Sequence, residues 1–258
     1  MFGLEEAWKI MMFQILKLGH DHKKDDAEIR ESLGMHFTIR NPMMDKGFAF
    51  SNPAAKFISW MRGGAFDIEG YPIKGDALAN YVESIFDEDK IQIWGGDTEK
   101  FVYTYPERLQ ALRICDEHGN GKTMNQLDVI VDRLTENVGS NRAIAVLYQA
   151  GMDSQRVDIP CLQLVQALVR NDNLYLSVFF RSNDIYGAWP SNMYFITHLG
   201  LLIQERLEKE NPNVTFIGID YHVSSAHIYK TDVDAAEKVI ESMKSELDDA
   251  MNMVMNKG

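Results

Sequence analysis

The sequence predicts an α+β fold in which helices pack on one large mixed or antiparallel sheet. Short segments rich in Val, Ile, Leu and aromatic residues predict strands at residues 143–149, 161–170, 174–181 and 214–219. Apolar residues at helical spacing predict a helix over residues 4–18 and a long helix that begins just after "WPSN", residues 189–192. An amphipathic helix buries its apolar face against a neighbouring layer, so these elements together favour helices on a sheet.

Each helix is predicted from a stripe of apolar residues. The first stripe consists of Leu4, Trp8, Met11, Met12 and Ile15, and Gly19 stands where this helix would end. The second stripe, between the last two predicted strands, consists of Ile196, Leu199, Gly200, Ile203 and Leu207. We interpret both stripes as core packing.

The composition favours a single cytoplasmic domain that spans residues 1–258. The chain is 45% apolar, enough for a substantial core, and it contains no internal repeat or Pro/Gly-rich linker. No apolar run approaches the roughly 18 to 20 residues of a membrane span, and the N-terminus is acidic where a secretory signal would be basic. Two cysteines are too few for a disulfide framework, so we expect a reducing compartment.

The charge of the chain limits its partners. A formal net charge of −12 argues against general binding to nucleic acid, which depends on clustered Lys and Arg. An anionic small ligand would therefore need a local set of cations. His20, Asp21 and His22 could suggest a metal site, but we favour a solvated loop after the first helix.

Arg181 stands at the end of the segment "NLYLSVFFRS". Residues alternate between the two faces of a strand, and both faces of this segment are largely apolar. A guanidinium at the end of a strand buried on both sides is costly unless an anion or a carboxylate meets it. The sequence leaves two interpretations open, a salt bridge with Asp184 or a phosphate or carboxylate site.

Cys161 follows Pro160 at the start of its predicted strand, where a chain often emerges at the end of a sheet. A free cysteine commonly acts as a small core hydrophobe. A thiol near guanidinium groups would instead have a lowered pKa and be a better nucleophile, and Arg142 and Arg181 are available in the flanking strands. Both interpretations remain open on pattern alone.

Four segments in order carry a resemblance to a known family. They are "SNRAIAVLYQ", "IPCLQLVQ", "FFRSNDIYGAWPSN" and "SSAHIYKTD", within residues 140–232. Together they resemble thymidylate synthase and its close relatives, the pyrimidine-nucleotide hydroxymethylases. The resemblance implies a thymidylate synthase-like α+β fold. It also implies transfer of a one-carbon unit from 5,10-methylenetetrahydrofolate to C5 of a pyrimidine nucleoside monophosphate, a step of nucleotide biosynthesis.

The resemblance implies a role for each matching residue. Cys161 matches the cysteine that attacks C6 of the pyrimidine, and Arg181 and Ser182 match the pair that holds the 5′-phosphate. The family is homodimeric, and Arg142 matches an arginine that reaches the phosphate of the partner subunit. Asn141 replaces the preceding arginine of that family pair.

Further matches concern the base, the sugar, the cofactor and proton transfer. Asn192 matches the asparagine that reads the uracil edge, and Asp184 matches an aspartate near the folate. His227 and Tyr229 match the pair that holds the sugar 3′-hydroxyl. Tyr105, in "FVYTYPERL", matches a tyrosine of the proton-transfer network.

The chain departs from the family pattern at several positions. The N-terminal phosphate loop is remodelled, and Arg30 is the best substitute for its arginine. Phe57 stands three residues before Trp60, where the family has a glutamate, and Leu162 follows the cysteine where many members have histidine. A polar helical stretch runs to Gly258 in place of the usual apolar tail.

These departures leave more than one function open. Thymidylate synthase chemistry on dUMP is the leading expectation, with hydroxymethylation of dUMP, dCMP or CMP as the first alternative. Asn192 favours uracil, whereas the missing glutamate and tail favour addition of water and a hydroxymethyl product. A non-catalytic nucleotide-binding relative is the second alternative.

Overall fold

The computed structural model describes residues 3–40, 42, 103–115 and 121–241 of the protein. Within these residues the helices are α1 (Leu4–Leu18), α2 (Tyr105–Gln110), α3 (Gln126–Glu136), α4 (Ala150–Asp153), α5 (Trp189–Leu207) and α6 (Val233–Glu241). The strands are β1 (His20–Lys24), β2 (Ala27–Arg40), β3 (Leu112–Cys115), β4 (Gly121–Met124), β5 (Ile144–Val146), β6 (Leu162–Arg170), β7 (Asn173–Asp184) and β8 (Thr215–Tyr229).

Six of these strands form one sheet in the order β1-β2-β8-β7-β6-β5, and β3 and β4 form a separate antiparallel pair. In the large sheet β7 and β8 run parallel to each other, and the other neighbouring strands are antiparallel. The long helix α5 connects the two parallel strands, as a crossover connection must. Helices packed on this mixed sheet confirm the predicted α+β class. No helix among the described residues is long and apolar enough to cross a membrane.

The predicted helices and strands are present, but one predicted loop is a strand and several bounds differ, such as those of β5, which covers only Ile144–Val146 of the predicted residues 143–149. Residues 20–22, predicted as a loop, lie in the exposed strand β1, so that prediction is wrong. β8 runs to Tyr229, well beyond the predicted residues 214–219. Asp220, His222 and Ser224 on its outward face are polar while Tyr221 and Val223 on its inward face stay buried, so this part of the strand has no continuous apolar pattern. α5 begins at Trp189, within "WPSN", because Pro190 suits the first turn of a helix.

One face of the large sheet is buried and the other is exposed. On β7 the inward residues Leu174, Leu176, Val178 and Phe180 are fully buried in the core. On the outward face of the same strand the Phe179 side chain is 41% exposed. The expectation that this strand is buried on both faces is therefore wrong for a single chain.

The helices approach the buried face closely at two glycines. A Cβ atom at Gly200 of α5 would collide with the ring of Phe216 on β8, so this contact requires glycine. A Cβ atom at Gly19 would collide with the carbonyl oxygens of Ile15 and Glu31. Gly19 thus ends α1 where the sequence predicted, and the chain turns directly into β1.

Candidate active site

The strand directions bring the predicted site residues to one edge of the sheet. The start of β6 lies opposite the end of β7 because these strands are antiparallel. The end of β8 lies beside the end of β7 because these strands are parallel, and Asp184 pairs with His227 there. The start of β2 and the end of β1 complete this edge, since Ile29 lies opposite Tyr229.

Cys161 immediately precedes β6 at this edge and carries a partly buried free thiol. Its carbonyl oxygen accepts from the Arg181 amide at 2.9 Å, and the next amide, that of Leu162, donates to the Tyr105 phenol oxygen at 3.3 Å. Burial raises the pKa of the Cys161 thiol, although Arg181 and Lys24 act in the opposite direction. The interpretation in which nearby cations lower this pKa is therefore wrong for a single chain, because desolvation of the thiolate outweighs the two cations.

The Arg181 guanidinium is anchored by the loop that precedes Cys161. Its Nε donates to the Pro160 carbonyl oxygen at 3.0 Å, and its Nη2 donates to the Ile159 carbonyl oxygen at 2.7 Å. The alternative of a salt bridge with Asp184 is not what the structure shows, because that carboxylate accepts from backbone amides instead. Carbonyl oxygens carry no full charge, so Arg181 keeps a positive charge that can attract an anion.

His227 is buried between Lys24 and Ser182. The Lys24 Nζ is 3.5 Å from its Nε2, and the Ser182 Oγ is 3.4 Å from its Nδ1. Burial lowers the pKa of His227 to about 4, and the nearby Lys24 acts in the same direction. A neutral imidazole must accept from an ammonium group, so Nδ1 carries the proton and donates to the Ser182 oxygen. The Ser182 hydroxyl proton is then available to an anionic oxygen.

Asp184 ends β7 with a largely buried carboxyl group. Its Oδ1 accepts from the amides of Tyr186 at 3.2 Å and Gly187 at 3.1 Å. Burial raises the pKa of Asp184 to about 6 in spite of these hydrogen bonds. A Cβ atom at position 187 would collide with the carboxylate, so only glycine leaves it this space. A perturbed carboxyl group at the end of a strand is typical of a binding or catalytic site.

Asn192 lies in the first turn of α5, and its amide is held by a buried relay. Its Nδ2 donates to Oδ1 of Asn183 at 3.0 Å, and the Asn183 Nδ2 donates to the Tyr221 phenol oxygen at 3.0 Å. Asn183 and Tyr221 are both buried. In this assignment the Asn192 Oδ1 and one N–H remain for another partner.

Comparisons with known proteins show which family the chain belongs to. The chain matches the family model described as "Thymidylate synthase" over residues 77–256. The chain belongs to the thymidylate synthase family. It is similar to a "Putative thymidylate synthase" of Methanothermobacter marburgensis, with 28% identity over 240 residues, 93% of this chain and 96% of that protein.

Two further relatives with the same description come from other methanogens. The protein of Methanothermobacter thermautotrophicus is 29% identical, and the alignment covers 92% of this chain and 96% of the relative. The protein of Methanocaldococcus jannaschii is 32% identical over 62% of this chain and 67% of the relative. The similarity to this thymidylate synthase family therefore extends over most of the chain.

Arg142, one of the residues matched to the thymidylate synthase family, lies away from the site edge. The adjacent Ala143 accepts from the Ala167 amide at 2.9 Å. Ala167 is six residues along β6 from Cys161, a distance of about 20 Å at roughly 3.3 Å per residue. Arg142 is exposed and directly precedes the edge strand β5. Any contribution of Arg142 to a site would have to come from another copy of the chain.

Lys24, the last residue of β1, is the cation that the β1–β2 hairpin brings into the site. Its Nζ also lies 5.6 Å from the centroid of the Tyr229 ring. Arg30, which the sequence analysis favoured, is held instead by Asp21, with 2.8 Å between Nε and Oδ1. Arg30 was predicted from its residue type, whereas the signal that indicates the site is the position of Lys24 at the end of a strand. Asn183 was missed because nothing in its local pattern marks it as a partner of Asn192.

Two of the departures from the family lie outside the described residues. Phe57, in the position of the family glutamate, falls there together with Trp60. The C-terminal stretch is described only as far as Glu241, the last residue of α6. Leu162 lies within the described chain, fully buried at the start of β6.

Proposed function

We propose that the protein transfers a one-carbon unit to C5 of a pyrimidine nucleoside 5′-monophosphate, with dUMP as substrate and thymidylate as product. The observation that carries the proposal is the meeting of Cys161, Arg181, Ser182 and His227 at one edge of the sheet. A thiol beside a group that attracts anions suits covalent attack on a phosphorylated heterocycle. Membership of the thymidylate synthase family supports the same class of reaction.

Cys161 is the proposed nucleophile. C5 of a uracil ring is not nucleophilic by itself, and thiolate addition at C6 makes C5 an enolate-like carbon. The thiol must first lose its proton, and Arg181 and Lys24 offset part of the cost of a buried thiolate. Tyr105, whose phenol oxygen accepts from the amide next to Cys161, is the proposed proton-transfer residue.

The 5′-phosphate is assigned to Arg181 and Ser182. Backbone carbonyls take two of the guanidinium N–H groups, which leaves others for phosphate oxygens. Ser182 adds a hydroxyl donor that His227 orients, and Lys24 adds a second positive charge close by. His227 and Tyr229, at the end of β8, are the proposed partners of the sugar hydroxyl.

Asn192 is the proposed reader of the base. Its amide can donate to O4 of uracil and accept from N3–H, and donation to O4 also stabilises the charge that develops on the ring. Cytosine presents a donor and an acceptor in the opposite order. The hydrogen bond to Asn183 is compatible with uracil, because it leaves the Oδ1 atom and one N–H of Asn192 for the base.

The proposed cofactor is 5,10-methylenetetrahydrofolate. When bound, it supplies the carbon unit and, for a methyl product, the hydride. The carboxyl group of Asp184 fits the N–H groups of a fused heterocycle, because it is buried, held in place by two amides and perturbed in pKa. Asp184 would therefore orient the cofactor, and Gly187 gives the carboxylate the space it occupies.

A homodimer is proposed through the exposed face of the sheet. Ile144 and Val146 on β5 and Phe179 on β7 are large apolar residues that this face exposes to solvent. Exposed apolar area of this kind is typical of an interface. Arg142 precedes β5 on the same side as Ile144, where it could reach a second copy, because residues two apart share a face.

Release of tritium from dUMP labelled at C5 tests the enzymatic proposal. Substitution at C5 expels the hydrogen, so we expect release that depends on folate and on Cys161. The raised thiol pKa favours a second candidate, a nucleotide-binding relative without catalysis. Absence of exchange with dUMP and with dCMP, with or without folate, would reject the enzyme and leave the binding protein. Detection of a hydroxymethyl product would leave the proposed site residues in place but replace methylation by hydroxymethylation as the reaction.

A further inference from the structure

We propose that His36, Asp220 and His222 bind one divalent metal ion of the Zn²⁺ class on the exposed face of the sheet. The ligand atoms of these three residues lie within 4.8 Å of one another. Two imidazoles and a carboxylate form a donor set that zinc and neighbouring transition metals accept. The proposed site is separate from Cys161 and does not depend on the proposed function.

The register of two neighbouring strands builds this trio. His36 on β2 lies directly opposite His222 on β8. Their rings stack with 4.1 Å between centroids and an interplanar angle of 5°. Asp220 is two residues before His222 on the same strand, so its side chain projects from the same face. Two hydrogen-bonded strands therefore hold all three ligands.

Each imidazole contacts a different oxygen of the carboxylate. The His36 Nε2 is 2.6 Å from Oδ1 of Asp220, and the His222 Nε2 is 2.9 Å from Oδ2. Hydroxyl groups of Thr38 and Ser177 lie 3.4 and 3.5 Å from the same two oxygens. Hydroxyls that orient a carboxylate in this way are a common support for a metal ligand.

Small side-chain movements convert this cluster into a coordination site. A tetrahedral ion with bonds of about 2.1 Å separates its ligands by about 3.4 Å, so the two contacts between Nε2 and the carboxylate must open by roughly 0.5 to 0.8 Å. The two rings must also turn out of their stack so that both Nε2 atoms face one point. In a single chain the His36, Asp220 and His222 side chains are 51%, 36% and 39% exposed, which leaves room for these rotations before a second copy covers this face.

The charges of the trio suit a cation. An aspartate carboxylate is ordinarily anionic at neutral pH, so Asp220 offers a negative charge to the ion. Each Nε2–H donates to the carboxylate in the ion-free cluster, and a shift of that proton to Nδ1 frees both Nε2 atoms to bind the ion. Water can complete the coordination.

The test is the metal content of protein purified from zinc-supplemented culture and then dialysed, with a parallel sample loaded with Co²⁺. Incorporation during expression also covers the case in which a second copy shields this face. We expect about one zinc ion per chain by mass spectrometry. The Co²⁺ spectrum should show no thiolate absorption, because Cys161 is not a ligand. Wild-type protein that retains neither metal would overturn the proposal.

Two variants of the trio and one matched control assign the site. Asp220→Asn and the double variant His36→Gln/His222→Gln should each weaken zinc binding by more than the roughly 10- to 100-fold typical of losing an outer-shell partner. The control His20→Gln/His22→Gln removes two histidines from β1 and should keep the metal. Asp220→Asn preserves shape, so it decides the test if the double variant does not fold. Retention of zinc in the trio variants, or equal loss in the control, would contradict the assignment.

Discussion

The Nδ2 atom of Asn192 donates to the Oδ1 atom of Asn183 at 3.0 Å, and this hydrogen bond links the start of α5 to the buried Tyr221 hydroxyl. The amide of Asn192 offers its donor and acceptor in an order that suits uracil. A flip of the amide reverses that order and suits cytosine. Tyr221 therefore supports the amide that reads the base through its contact with Asn183.

Tyr221→Phe should reduce the preference for dUMP over dCMP by about tenfold, or roughly 1.4 kcal/mol. The variant removes the buried hydrogen-bond partner of the Asn183 amide, so the relay holds the Asn192 amide less firmly. Nucleotide affinities measured by calorimetry give the ratio. Tyr175→Phe, on the neighbouring strand and the opposite face, is the control and should leave it unchanged. If Tyr221→Phe lowered the affinities for dUMP and dCMP equally, Tyr221 would contribute to stability and not to the choice of base.

Cys161→Ser should abolish turnover and leave nucleotide affinity within about tenfold, or roughly 1.4 kcal/mol. The change removes the nucleophile but leaves Arg181 and Ser182 to hold the phosphate. Activity and binding should be measured on the same preparation. Residual turnover above a tenth of the wild-type rate would contradict the nucleophilic role.

Arg142→Ala should inactivate the protein through the partner's site. Within one chain Arg142 lies about 20 Å along β6 from Cys161, so it can act only from another copy. Mixed dimers of Arg142→Ala and Cys161→Ser, both inactive alone, should regain part of the activity because one site is intact. Verified mixed dimers without activity would remove the role in trans.

Asp184→Asn should raise the free energy of unfolding at pH 7 by about 1–3 kcal/mol. The folded-state pKa of Asp184 is raised to about 6 by burial, from an ordinary 3.8. Below pH 3.8 the carboxyl group is protonated in both states, and stability is lost as pH rises through 6. Urea unfolding at pH 4 and pH 7 should show the gain only at pH 7.

Asp21→Asn is the control of opposite sign. Hydrogen bonds from Arg30 and Lys230 lower the pKa of Asp21 to about 2, so its stabilising effect is present above pH 3.8 and is lost as pH falls towards 2. This variant should be less stable than wild type at pH 7. A higher free energy of unfolding in both variants, or in neither, would show that burial of the Asp184 charge does not destabilise the folded protein.

The apolar half of the fold could be predicted from the sequence. The helices α1 and α5 and the strands β6 and β7 follow apolar periodicity, because that pattern records which face is buried. β1, β2 and the second half of β8 could not be found in this way, because their outward side chains are polar and exposed. Polar segments also form loops, so only the pairing with a neighbouring strand distinguishes a polar strand from a loop.

The candidate site was predictable where a motif marked it. Cys161, Arg181 and Ser182 come to one edge because the strands that carry them end there. The thiol pKa could not be predicted, since it depends on how far burial outweighs two nearby cations. Lys24 and the relay through Asn183 depend on contacts between residues far apart in sequence, which no local pattern records.

Product analysis by mass spectrometry distinguishes synthesis of thymidylate from hydroxymethylation and from binding without reaction. Purified protein is incubated with dUMP and 5,10-methylenetetrahydrofolate, and Cys161→Ser serves as the control. We expect thymidylate and dihydrofolate from the wild-type protein and unchanged dUMP from the variant. A hydroxymethyl nucleotide with release of tetrahydrofolate, or no change in dUMP with either protein, would contradict this expectation.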